Sequence, residues 1–464
     1  MSVSQKNRTA AKGEKTNAAE AEKSRVNAHF QDGSGAAQPD GSAVAAAISY
    51  EDLYRRWEQG NWRSTEIDFS RDREGWQTLS EIQRRSALWT YSMFFYGEDS
   101  VTDNLSPYID AAPKEEQKYF LATQQVDEAR HSLFFHRFFS EVIGVPGKSI
   151  GETLSSTLPQ LGWGYRAVFG RLDSMAEELR KDHSLPKFAQ AIALYHMVVE
   201  ATLAQPGQHF IEDYFTKAGT MPGFAEGMHN VARDEQRHIG FGVKTLAELF
   251  RASDECKAAV AELLGEVMPY TSSVFVPPGW DERYTTEYGF TLEDIFSFGM
   301  RSVEAKWRAT GYPIDEMPPG VYPMDFSLSH RERARQFIVL LKAGILGEPN
   351  GRPDSSPETQ QLYFGVIERS VNHSAADGPV TIQWRFEDAP DWYLRIDNGS
   401  SRAEQGEAPD ADVVLETTWP QWIEISIRGA DPRRAMLRRR LRPRGSLRQL
   451  WRMQRIFPRR TRLA

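Results

Sequence analysis

One cysteine in 464 residues, Cys256, excludes an internal disulfide and any cluster of thiolate ligands, and it suits a reducing cytoplasm, the expected location. No apolar run approaches the roughly eighteen residues of a membrane span. The opening MSVSQKNRTAAKGEK has no apolar h-region, so it does not read as a secretory signal. Large apolar side chains are nearly missing from residues 1–45, where Ala, Gly, Ser, Lys and Gln dominate, so this stretch cannot bury enough surface to offset its ordering entropy and is expected to be a disordered tail. Acidic residues are scarce at the other end. From Arg428 onward there are fourteen arginines and one aspartate, in a chain whose net charge is −8. Arg438, Arg439, Arg440, Arg442 and Arg444 are candidates for contact with an anionic membrane surface, with nucleic acid or with the acidic body of the same protein. Leu447, Leu450, Trp451, Met453, Ile456 and Phe457 recur at roughly helical spacing, which favours a docked terminal helix over a free tail.

What is present is a four-part pattern on segments of helical character: Glu98, then Glu128-x-x-His131, then Glu200, then Glu235-x-x-His238. Residues three apart share a helix face, so each pair can present a carboxylate and an imidazole to one point. One such pair alone usually lies on a solvated face. The repeat changes that reading, because both pairs sit in near-duplicate strings, DEARH at 127–131 and DEQRH at 234–238, each trailing an upstream glutamate. Four carboxylates and two neutral imidazoles carry a formal −4, which two divalent cations would balance. Oxygen and nitrogen donors suit iron or manganese. Glu98, Glu128 and His131 are expected around one metal and Glu200, Glu235 and His238 around the other, with Glu128 and Glu235 bridging. Asp234 is the preferred acceptor for the second ring N–H of a ligand histidine. Asp127 reads equally as such an acceptor or as an exposed helical acid.

Helical patterning rich in aromatics runs from Tyr50 to about Tyr312, resumes from Arg331 to Leu346, and ends at the turn-rich GEPNGRPDSSPE. Beyond Pro357 the period changes to alternation in TIQWRFED, WYLRIDNG and DVVLETT, read as strands, with helices near 360–372, 421–427 and 433–441. The expected domains are a tail at 1–45, a helical bundle at 46–346, a linker at 347–357 and a small α+β unit at 358–464 with a basic C-terminus. The fold class is mainly α.

With the ligand set placed, the bundle resembles the ferritin-like superfamily, and within it the ribonucleotide-reductase-small-subunit-like ligand-binding oxidases, over about Asn61 to Trp307. The resemblance extends to NWRSTEIDFSRDREGW, GEDSVTDNLSPY and ALYHMVVEATLA. Those oxidases carry a valine three residues after the first glutamate and a tyrosine five before the third, joined by an ether crosslink on oxygen activation; here these are Val101 and Tyr195. Read without the family, they are ordinary core. The resemblance implies a mixed manganese–iron centre, with iron–iron as the alternative, dioxygen as co-substrate, and a long-chain fatty acid or other apolar ligand beside the metals. Related bundles pair, so a homodimer is expected. True reductase small subunits store a radical on a tyrosine four residues after the first histidine, where this chain has Phe135. Residues 357–458 resemble the sterol carrier protein type two fold, which encloses an apolar tunnel. Trp384, Trp392, Trp419 and Trp422 either line such a tunnel or fill a plain core.

The combined reading is a dimetal-carboxylate oxidase performing a two-electron oxidation of an apolar, lipid-like substrate, with an electron donor that the sequence does not specify. The alternatives are a non-catalytic lipid carrier with a self-processed metal centre, a reductase small subunit, and a ferroxidase or peroxide-disproportionating centre.

Overall fold

The computed structural model describes residues 48–457, apart from positions 146, 148, 350 and 398. The tail expected at 1–45 lies outside the described residues. The chain forms the expected mainly α architecture, a helical bundle followed by a small five-stranded α+β domain. Among the described residues no helix is long and apolar enough to cross a membrane.

Four long helical segments carry the pattern. The first ligand helix, Glu81–Asn104, starts at a capping box in which Ser80 and Gln83 satisfy each other's backbone N–H groups. The second, Glu115–Phe138, packs beside it and leaves through a π turn that ends at left-handed Gly144. The third begins as an α-helix at Leu185–Ile192, with Ser184 as N-cap, and continues as a π-helix over Ala193–Ala204 before Gln205–Ala218 returns to α geometry. The fourth, Pro222–Ala252, packs against the π segment. Its N-terminal amides are satisfied from outside: Gly223 and Phe224 donate to Asp72 of the Ser70–Thr78 helix at 3.0 and 2.7 Å.

Sequence patterning predicts an ordinary helix through ALYHMVVEATLA, and the π stretch is a departure from it. Gln205 N–H reaches back to Glu200 O and Thr202 Oγ1 to Met197 O at 2.6 Å, both five residues away. The consequence is local and chemical. Residues five apart stand ~140° round an α-helix, whereas i→i+5 bonding widens the turn and swings Tyr195 toward the face that carries Glu200.

The helices Asp254–Thr271 and Leu292–Ala309 complete the bundle, and His330–Lys342 lies toward the C-terminal domain, whose core takes in Leu340, Ala343 and Ile345. Cys256 is buried on the first of these. After the Pro357–Arg369 helix the sheet runs in the order β3-β2-β1-β4-β5: β1 (Val380–Phe386) pairs antiparallel with β2 (Trp392–Asp397) and parallel with β4 (Val413–Thr417), while β3 (Ser400–Gln405) and β5 (Leu441–Gly445) form the edges. The three strands read from alternation are present. Both edge strands are additions, and β5 with its preceding turn replaces the end of the helix expected at 433–441, which covers only Pro432–Leu437. Neither edge strand alternates cleanly, and Pro443 is tolerated because β5 has a single partner.

Trp384, Trp392, Trp419 and Trp422 are all buried in one aromatic core with Tyr363, Phe364 and Phe386. Phe364 stacks on Trp392 with centroids 4.5 Å apart, and Trp384 meets Trp422 at 5.5 Å. These rings pack on one another. The last helix, Leu447–Ile456, docks as expected through Leu450, Met453, Ile456 and Phe457, but Trp451 faces outward.

Candidate metal centre

The six pattern residues converge from four helical segments into one buried cluster, none more than 6 % exposed. His131 Nδ1 lies 3.1 Å from Glu98 Oε2, 3.3 Å from Glu128 Oε2 and 3.6 Å from Glu235 Oε1. His238 Nδ1 lies 3.1 Å from Glu128 Oε1, 3.5 Å from Glu200 Oε1 and 3.8 Å from Glu235 Oε2. Glu128 and Glu235 therefore each turn one oxygen to either histidine, while Glu98 approaches only His131 and Glu200 only His238. Two groups of donor atoms result, Glu98, Glu128, His131 and Glu235 in one and Glu128, Glu200 and His238 in the other, each compact enough to surround an ion.

The outward ring nitrogens are fixed crosswise. His131 Nε2 donates to Asp234 Oδ2 at 3.2 Å, and His238 Nε2 donates to Asp127 Oδ2 at 3.1 Å. Each aspartate thus serves the histidine of the other helix. Asp127 is buried, so its reading as an exposed acid is corrected. Two indoles complete the arrangement, Trp57 donating to Asp127 at 2.9 Å and Trp62 to Asp234 at 2.7 Å. Arg130 bonds Asp127 and lies 2.8 Å from Asp234, and Arg237 lies 2.9 Å from Asp127 and 2.8 Å from Asp234. Two buried cations neutralise two buried anions, and both Nδ1 atoms are left aimed at the glutamates. The arginines occupy equivalent places in DEARH and DEQRH, a signal legible in the repeat. Nothing in the spacing pointed to the tryptophans.

Without counter-cations the cluster is electrostatically expensive, because carboxylates taken out of water and set beside one another resist ionisation. Burial pushes Glu98, Glu200 and Glu235 above the usual carboxylate range, reinforced in each by neighbouring glutamates. Burial also opposes charge on Glu128, but the His238 charge and hydrogen bonds from both histidines hold it well below its usual value. Burial would lower both imidazoles, yet Glu98 beside His131 and Glu128 beside His238 hold them well above the ordinary histidine range. Positive charge collects where cations would sit. Among the described residues, Glu200 Oε2 and Glu235 Oε2 are buried without a hydrogen-bond partner, which leaves both free to ligate an ion. The residues fit a pair of oxygen- and nitrogen-ligated divalent ions.

Tyr195 is buried beside the cluster and donates to Glu128 Oε1 at 2.6 Å. Burial and the adjacent Glu128 hold its phenol well above the usual value, so the proton stays on oxygen. Gln124, which the sequence did not single out, donates to Tyr195 at 3.1 Å and to Glu200 Oε1 at 2.8 Å. Its own carbonyl accepts from His196 at 3.1 Å, and burial lowers His196 to about 3, leaving that ring neutral. Val101, Tyr195 and the four glutamates all line one apolar cavity of about 130 Å³, walled by Phe94, Phe169, Leu203, Phe210 and Phe275. Among the described residues no lysine, arginine or histidine lines it. Phe135 is fully buried among Phe94, Phe134 and Phe224 and has no hydroxyl to oxidise.

Residues 47–269 match the ribonucleotide reductase small-chain family, and residues 376–458 match the SCP-2 sterol transfer family. Among solved structures, one R2-like ligand-binding oxidase variant with an anaerobically reconstituted Mn/Fe cofactor is 24% identical, covering 56% of this chain and 93% of its own, with a TM-score of 0.49. A second such variant is 24% identical over 58% of this chain and 97% of its own, with a TM-score of 0.48. A third is 25% identical over 57% and 93%, also at 0.48. Each family match covers less than half of the chain, the first falling on the helical bundle and the second on the C-terminal sheet-containing domain.

Proposed function

We propose that this protein is a dimetal-carboxylate oxidase that uses dioxygen for a two-electron oxidation of an apolar, lipid-like substrate. The observation that carries the reading is the shared boundary between the buried Glu/His cluster and the apolar cavity. Glu98, Glu128 and His131 would hold one ion, Glu200, Glu235 and His238 the other, with Glu128 and Glu235 bridging and Asp127 and Asp234 fixing the imidazoles. Manganese with iron is the proposed pair, and two irons are the alternative. Bound there, the ions supply electron transfer to dioxygen.

The chain's own residues do the rest. The aromatic walls exclude water and align an alkyl or ring system by burial alone. Because no basic side chain among the described residues lines the cavity, an acid head group, such as that of a long-chain fatty acid, would find its positive charge at the metals. Tyr195 is poised for a self-processing step, since its hydroxyl already donates a hydrogen bond to Glu128. In that step Val101 loses a Cβ hydrogen, Tyr195 loses its phenolic hydrogen, a carbon–oxygen bond forms, and dioxygen takes up the two hydrogens as peroxide.

The test is assembly with iron and manganese, with and without oxygen, followed by intact and peptide mass spectrometry. An oxygen-dependent loss of two hydrogens that links the Val101 and Tyr195 peptides supports the reading. Oxygen uptake stimulated repeatedly by a lipid substrate would establish turnover, and a single event that no lipid prolongs would favour a self-processed carrier. A reductase role is disfavoured by Phe135.

A further inference from the structure

From the β5 edge of the C-terminal domain we infer a docking surface for an anionic lipid bilayer. Residues 432–464 contain thirteen arginines and no acidic side chain. Four of them are already used: Arg444 pairs with Glu416 at 2.8 Å, Arg455 with Asp377 at 3.3 Å, Arg442 with Glu387, and Arg452 donates to Pro379 O at 3.0 Å. Arg433, Arg434, Arg438, Arg439, Arg440 and Arg448 are exposed, and their side chains make no hydrogen bond or ion pair among the described residues. The acidic body of the protein has therefore left half a dozen cations facing water. Large apolar groups stand exposed beside them: Leu437 is 86% exposed, Trp451 67% and Met436 37%.

The topology sets these groups about one strand. β5 closes the sheet with no partner on its outer side among the described residues; the Pro432–Leu437 helix ends in the Arg438–Arg440 turn that enters it, and the Trp451 helix leaves from its other end. That turn is a built feature, with Arg439 in the left-handed region at φ 57° and Arg440 N–H bonded to Ala435 O at 2.9 Å. Arginine with exposed tryptophan and leucine is the combination that seats in a bilayer interface, where the guanidinium groups meet head-group phosphates and the apolar side chains enter the acyl boundary. A nucleic acid would use the arginines and could stack on Trp451, but offers no environment for Leu437. The observations favour lipid.

The experiment is co-sedimentation of the full-length, metal-assembled protein with phosphatidylcholine vesicles and with vesicles containing about one-third phosphatidylglycerol. The expected result is binding to the anionic vesicles only, reversed by high salt. R438E/R439E/R440E should lower that binding about 100-fold, and W451S should weaken it while leaving salt sensitivity in place. Both variants alter exposed side chains, so unchanged metal content and thermal unfolding will show that they are folded. Equal retention by neutral vesicles, retention by neither, or undiminished binding of the triple variant would overturn the inference. So would displacement from vesicles by a DNA duplex at lower concentration than by soluble anionic lipid.

Discussion

Replacing Asp234 by asparagine should weaken the metal subsite on the opposite helix, the one that includes His131, and leave the His238 subsite nearly intact. Asp234 Oδ2 accepts from three donors, His131 Nε2 at 3.2 Å, Arg130 at 2.8 Å and Trp62 Nε1 at 2.7 Å. Arg237 lies 2.8 Å from the other oxygen, Oδ1, so an asparagine, with one acceptor oxygen, must turn its amide toward either Arg237 or these three donors. The substitution therefore removes a charge-assisted hydrogen bond, a loss of about 1.5–3 kcal/mol, and frees the imidazole to rotate. Support of this kind for a ligand histidine is worth about 10–100-fold in metal affinity. Competition titration of the anaerobic protein against a chromophoric chelator should show one site weakened by that factor and one unchanged. The assignment follows from double variants. D234N with H131A should bind no worse than H131A alone, and D234N with H238A should lose both sites. The opposite coupling, with D234N redundant to H238A, would refute the crosswise arrangement, and D127N should behave as its mirror image.

Two further outcomes follow from packing and burial. Gly227 lies where the fourth ligand helix touches Phe134 of the second, and a Cβ there would collide with that ring. Gly227→Ala should therefore destabilise the bundle by about 3 kcal/mol in urea unfolding, and an unchanged midpoint would contradict the packing. Lys306 is buried against Ser302 and Gln205 with no carboxylate partner among the described residues, and burial lowers its amine to about 7. Between about pH 7 and 10.5 the unfolded chain holds a proton that the folded chain does not, so this group makes stability rise with pH by up to about 1.4 kcal/mol per unit. Below pH 7 both states are protonated and the full cost of the buried charge remains. Lys306→Met should flatten the rise between pH 7 and 9, and parallel pH profiles would show that the amine carries no such linkage.

The Glu/His cluster was legible because an i, i+3 spacing repeated in near-identical strings dictates which side chains share a helix face, whatever the rest of the fold does. The crosswise supports were not legible, since whether Asp127 serves its own helix or its neighbour depends on how two helices cross. Tyr195 could be named only by resemblance, and its approach to the cluster depends on a π stretch that apolar patterning cannot distinguish from an α-helix. β3 and β5 escaped notice for a related reason. Edge strands bury little, so SSRAEQ and LRPRG show no alternation to read. The four tryptophans of the C-terminal domain were readable as tunnel or core, and their mutual packing puts them in the core.

The most direct measurement is diffraction from metal-assembled crystals at energies on either side of the manganese and iron absorption edges. The account predicts two anomalous peaks inside the cluster, one bounded by Glu98 and His131, the other by Glu200 and His238, with Glu128 and Glu235 between them. A single ion, or ions bound away from these six residues, would contradict it.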